Sequence, residues 1–347
     1  MKKLAAFALA LFMLALSGCG GGKDTEGPSS GGGSGIGGVL SGLRGGRELR
    51  MNVAADGDSV WLTAANTFQT LIEERTEGRY RVRIYTGEQD AAEGVEALFS
   101  GEIDLDLRSL MDLQGGEPRL AAAVMPWLFT SETVDETLFR GPGKESLFSV
   151  LRERGVEPLA LGENGFLQFT NNLRPVSAPE DLRGLRVWVR SEGVEADFFR
   201  LMGAEPVVLG STEGFAALQS GDLDGQENAL DTIRAGDVHL IQRYLTVWDG
   251  SYDPICLCVS GKIWDELSET DRTVFRTAAQ EACTAEIAAV RQLREELIGE
   301  FEESGVEVTV LSESQKDAFR SAVSPLYDTW RAPVGDALFA DFGVVFS

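Results

Sequence analysis

Twice along this chain a strand-like apolar alternation gives way to helix-spaced apolar residues and back again, and no other feature limits its fold as much. LRMNVAAD (49–56) alternates as a strand, and Trp61, Ala65, Phe68 and Ile72 then recur at helical spacing until Gly78 stops the helix. Residues 79–85 set charge against Tyr80, Val82 and Ile84 as a half-buried strand. A helix over 91–100 ends at Gly101. Ile103, Leu105 and Leu107 then form a third strand, with Arg108 just past its end. This β-α-β-α-β order demands a parallel sheet with right-handed crossovers. A second unit runs from Val187 to Leu223: strand 185–189, helix 193–202, strand 206–209 and helix 212–220, with Ser211 as N-cap and Gly221 as stop. ICLCVSG (255–261) reads as another apolar strand. A long helical region follows over 263–303, then a strand over 306–311 and largely helix over 313–340. Two such units and one long helix predict two α/β lobes joined by several crossings.

The length of 347 residues fits two ordinary domains, and the 43% apolar fraction can fill real cores. A formal charge of -24 argues against nucleic-acid partners, because a phosphate backbone needs a basic footprint. The acidity reads as a solubility device. The chain begins MKKLAAFALALFMLALSGC (1–19), a basic start and an apolar run too short for a permanent membrane span. Leu16-Ser17-Gly18-Cys19 resembles a bacterial lipobox, so residues 1–18 read as a signal peptide and Cys19 as the site of a diacylglycerol anchor. The stretch 20–47 is rich in Gly and Ser and reads as a flexible tether, about 30 Å end to end. It contains a G-x-G-x-x-G match at 33–38. No strand precedes that match and no amphipathic helix follows it, so it carries no dinucleotide site.

No catalytic set emerges. The one histidine, His239, sits in GDVHLIQRY and reads as structural; no G-x-S-x-G, H-E-x-x-H or Walker pattern is present. Neither a cofactor nor a metal is expected. Cys256 and Cys258 share a strand face, and their C-x-C spacing without a histidine cluster is weak for metal. With Cys283 they read as buried apolar thiols, and a disulfide from Cys283 to one of the pair stays open.

Between these features lies FTNNLRPVSAPEDLRGLRVWVR (169–190), followed by LQSGDLDGQEN (218–228). Motif order and spacing resemble the DctP-type solute-binding proteins of tripartite ATP-independent periplasmic (TRAP) transporters, which show TNxxRPI…DLKGLKIRV and then LQxGxVDGQENP. The likeness spans roughly residues 48–330. It implies a bilobed periplasmic-binding-protein fold with a cleft and a long connecting helix. It further implies lobe I over 48–164 plus 254–293 and lobe II over 165–253 plus 294–347. The implied function is capture of a small organic solute by hinge closure and delivery to a membrane permease, by a monomer outside the cytoplasm and without chemistry. The alternatives are a sensory receptor or an enzyme on a similar scaffold.

The departures fall on the family's ligand positions. Its carboxylate-clamping arginine in KIRV aligns with Trp188, a second arginine with Leu167, and an aromatic before the next helix with Ser211. The asparagine of GQENP is kept as Asn228, whose amide the resemblance points at the ligand; a turn-capping role is the other reading. Trp188 could stack on a planar, apolar or cationic group. These losses predict a ligand less anionic or larger than C4-dicarboxylates. The competing expectation is that Arg108 or Arg190 takes over the clamp and a monoanion binds. Trp127, in MPWLF, is expected to pack between the lobes rather than touch ligand.

Overall fold

Strand β1 (Arg47–Val53) turns Leu49, Met51 and Val53 to one face, and all three are fully buried. The computed structural model describes residues 46–55, 59–87 and 91–346, without the side chains of Ala91 and Ala92. The signal peptide, the Cys19 lipobox and nearly all of the tether lie outside the described residues. After β1 come α1 (Trp61–Arg75), β2 (Tyr80–Thr86), α2 (Ala91–Ser100), β3 (Leu105–Ser109), α3 (Leu110–Leu113), α4 (Pro142–Glu153) and β4 (Val156–Phe166). Then follow β5 (Gln168–Asn171), β6 (Arg186–Val189), α5 (Val194–Leu201), β7 (Glu205–Val208), α6 (Ser211–Ser220), β8 (Gly225–Asn228), α7 (Leu230–Ala235) and β9 (Tyr244–Val247). The chain closes with β10 (Tyr252–Ser260), α8 (Gly261–Glu266), α9 (Glu269–Glu303), β11 (Glu307–Val310), α10 (Glu313–Val334) and α11 (Asp336–Asp341).

The strands form two sheets. One has the order β2-β1-β3-β10-β4, with β1, β2 and β3 parallel and β10 antiparallel to both its neighbours. The other has the order β11-β9-β5-β8-β6-β7, with β6 parallel to β7 and β8 and β5 antiparallel to β8 and β9. The chain passes between sheets from β4 to β5 and from β9 to β10. Helix α9 spans both, packing on α1 and β4 and also on α7 and β11. This is the two-lobed α/β architecture that the alternating patterns demand. Ring packing ties the crossings together: Trp127 stacks on Phe319 at 5.5 Å and meets Trp248 and Phe198 edge-on. Each such buried ring contributes about 1.5–3 kcal/mol.

Some boundaries differ from the sequence expectation. Strand β3 lies two residues later than expected, so Arg108 sits inside it rather than beyond it, and only 1% of its surface is exposed. The long helix begins at Glu269 because Ser268 caps it, its hydroxyl accepting the Asp271 N–H. Gly210, not Ser211, is the extended N-cap of α6, and no side chain caps that helix. Asn228 ends strand β8, where a turn was expected, because 225–228 pairs with both β5 and β6. Gly335, at φ 92°, divides the C-terminal helix in two. All three described cysteines are buried and free. The Cys256 and Cys258 sulfurs lie 3.3 Å apart, and Cys283 packs with Ile255 and Leu257 on the other side of β10. His239 stacks on Phe301, with ring centroids 4.8 Å apart.

Candidate functional site

The carboxyl ends of β1 and β3 carry Asn52, Asp106 and Arg108 at the polar positions of the alternation, yet all three are buried. Asp106 is fully buried, accepting the Asn52 amide at 2.7 Å and Arg108 Nε at 2.8 Å. Burial opposes the Arg108 charge, but Asp106 and Asp112 more than offset it, so the guanidinium is held ionised. Its Nη2 has no hydrogen-bond partner among the described residues. Gly94 of α2 admits that guanidinium: a Cβ there would lie 2.1 Å from Nη2.

The second sheet supplies the opposite wall. Arg190 follows directly on β6, and its Nε lies 3.3 Å from Asp112 Oδ1, so this ion pair joins the segment after β3 to the end of β6. Two further contacts join the lobes. Asp231 of α7 accepts from the Ser59 hydroxyl and the Val60 N–H, and Gln114 Oε1 accepts from Val194 N–H. Arg190 is ringed by buried acids. Burial raises Glu195 to about 8 against the pull of Arg190, and raises Asp253 to about 6. Glu227 is pushed well above the ordinary carboxylate range by burial and by Glu195.

A cavity of about 870 Å³ opens between these walls. Arg108, Arg190, Asp112 and Asn52 line its inner side. Gly210, Ser211, Thr212 and Glu213, the uncapped start of α6, line it as well. The first backbone N–H groups of a helix have no intrahelical acceptor, and the helix dipole favours an anion there. Glu213 and Asp237 add negative charge to the same cavity. A smaller compartment of about 50 Å³ adjoins it, sharing Ala54, Ala55, Arg190, Ser211, Phe215 and Gly236.

Of the residues singled out from sequence, Arg108 lines the large cavity, Arg190 and Ser211 line both, and Trp188 and Asn228 line the small one. Leu167 is buried, bonded through its backbone to Ser251, and lines neither. Trp188 does not project across the cleft. Its indole donates to the Leu209 carbonyl at 2.9 Å, lies under Gly214 and meets Phe215 edge-on at 4.9 Å. Sequence reasoning missed Asp112, Asn52 and Trp61. Asp112 follows Arg108 by four residues, but only the fold brings it to Arg190. Among the described residues no group of three or more His, Cys, Asp or Glu could hold a metal ion, and no helix is long and apolar enough to cross a membrane.

The family model for bacterial extracellular solute-binding protein, family 7, matches residues 51–332. A TRAP periplasmic solute-binding protein of Ralstonia eutropha, solved with bound (S)-2-hydroxy-2-methyl-3-oxobutanoate, superposes with a TM-score of 0.82 at 29% identity. The match covers 85% of this chain and 98% of that one. Another from a Polaromonas species, bound to D-erythronate, gives 0.78 at 29% identity, covering 87% and 99%. The sialic acid-binding periplasmic protein of Vibrio cholerae is 26% identical over 84% of this chain and 90% of its own.

Proposed function

The chain belongs to the DctP family of bacterial extracellular solute-binding proteins and is a solute-binding receptor of the TRAP type, and on that premise we propose that its ligand is a small hydroxylated monocarboxylate. The observation that carries this reading is the polarity of the large cavity. Two guanidiniums and the bare start of α6 line one cavity and favour a carboxylate there, while Glu213 and Asp237 line the same space and oppose a second negative charge. A dicarboxylate would leave its far charge beside these acids, whereas hydroxyl groups can donate to them. The ligands named for three of the relatives, acetolactate, D-erythronate and sialic acid, are likewise monocarboxylates with hydroxyl groups, whereas other relatives are named for C4-dicarboxylates or succinate.

Capture then works by closure. The lobes, 48–164 plus 254–293 and 165–253 plus 294–347, turn about the crossings, and the ligand carboxylate shares Arg190 with Asp112 as the walls meet. Lipidation at Cys19 tethers the receptor, as a monomer, to the outer face of the cell membrane. There it passes the solute to the TRAP permease. Calorimetric titration with D-erythronate and with succinate tests the ligand class. D-erythronate is expected to bind and succinate to bind at least about tenfold more weakly. Tighter succinate binding would remove the monocarboxylate reading.

A further inference from the structure

Behind the large cavity, the small compartment is bounded by two tryptophans, one from each lobe: Trp61 at the start of α1 and Trp188 at the end of β6. We propose that this compartment reads the substituent on the carbon next to the ligand's carboxylate and selects a single oxygen there, hydroxyl or keto. The inference rests on the monocarboxylate reading above and adds to it what the inner end of the site accepts.

Three observations carry it. The first is position. Arg190 and Ser211 line both spaces, so a carboxylate held by them lies at the junction. Its neighbouring carbon can then send one substituent inward while the rest of the molecule occupies the roomy outer space. The second is size. About 50 Å³ holds only a few water-sized atoms. The walls do not yield readily: Trp188 is fixed by its bond to the Leu209 carbonyl and by Gly214, whose missing side chain its ring fills. The third is the donor inventory. Three of the other polar side chains here are already engaged: Ser59 donates to Asp231, Thr232 to Asn164 and Trp188 to Leu209. The Asn228 amide and the Trp61 indole N–H bond to none of the described residues through their side chains. Both residues are nearly fully buried. Both line the compartment, so a methyl group pressed against these donors would cover them without an acceptor, which is costly, whereas an oxygen on the ligand supplies one.

The test compares 2,3,4-trihydroxybutanoate with 3,4-dihydroxybutanoate, which differ only in the 2-hydroxyl, by calorimetry on the whole protein. The wild type is expected to prefer the 2-hydroxy acid by at least about tenfold. Asn228→Ala and Trp61→Phe should each shrink that preference several-fold, with far-ultraviolet circular dichroism showing both variants folded. Equal binding of the two acids by the wild type, or a preference that survives both substitutions, overturns the proposal while leaving the monocarboxylate reading intact. Binding of neither acid overturns both.

Discussion

Two arginine-rich regions lie between the sheets of this protein, and they differ in what their arginines still have to bond. At the crossings, Arg291 divides its donors between Glu163 and Asp135 at 2.9 and 2.7 Å, and Arg294 donates to Asp249, which also takes Lys316. That region borders a cavity of about 240 Å³. In the cleft, Arg108 keeps a buried Nη2 without a partner, and Arg190 opens onto two cavities. Counting cations would not separate the regions; asking which donors remain unbonded does. Arg291, bonded to two acids, holds the crossings together, whereas Arg108, with one donor unbonded, lines the same cavity as the bare start of α6, the arrangement on which the proposed anion site rests.

The sharpest way to break this comparison is to remove one arginine from each region. Arg108→Ala leaves Asp106 buried without its cation and should cost about 3–5 kcal/mol in urea unfolding. Arg294→Ala, at a pair roughly a third exposed, should cost less than about 1 kcal/mol. Equal losses would erase the distinction. A smaller effect separates two glycines. Gly214→Ala places a Cβ 2.1 Å from the Trp188 ring and should destabilise by about 1–3 kcal/mol. Gly299→Ala on α9 meets nothing within 4 Å and should be neutral or stabilising by up to about 1 kcal/mol. Thermal unfolding of both variants checks this, and a destabilised Gly299 variant would count against it.

The smallest effect near neutrality concerns Glu195. Its folded pKa of about 8 lies above the ordinary 4.5, chiefly through burial, with Asp112 and Asp253 adding to it and Arg190 opposing it. Its contribution to stability is therefore fully present below 4.5 and is lost as pH rises through about 8. Glu195→Gln should gain melting temperature relative to the wild type as pH climbs from about 6 to about 9. A difference that stays flat over that range would show that Glu195 is ionised in the folded protein at both ends.

Much of the fold was legible because it rests on local periodicity: the parallel β1-β2-β3 unit, the β6-β7 unit and the long α9 follow from alternation, helical spacing and glycine stops. The motif from Thr170 to Asn228 likewise marked the lobe that carries Arg190 and α6. What sequence could not supply is long-range pairing. Whether Arg108 is inside or beyond its strand depends on register with β10, where Cys256 lies opposite it. That Trp188 turns under Gly214 depends on a helix packing over it, and that Asp112 meets Arg190 depends on how the two lobes approach. Leu167 aligned with a ligand position but lies in the core beside a crossing.

The central claim is that the cleft arginines, Arg108 and Arg190, and not those at the crossings, hold the ligand carboxylate. Titrating D-erythronate into wild type, Arg190→Gln and Arg294→Gln tests it most directly. The account predicts that Arg190→Gln weakens binding by about tenfold or more, while Arg294→Gln matches the wild type. Wild-type affinity in Arg190→Gln, or an equal loss in both variants, would contradict it.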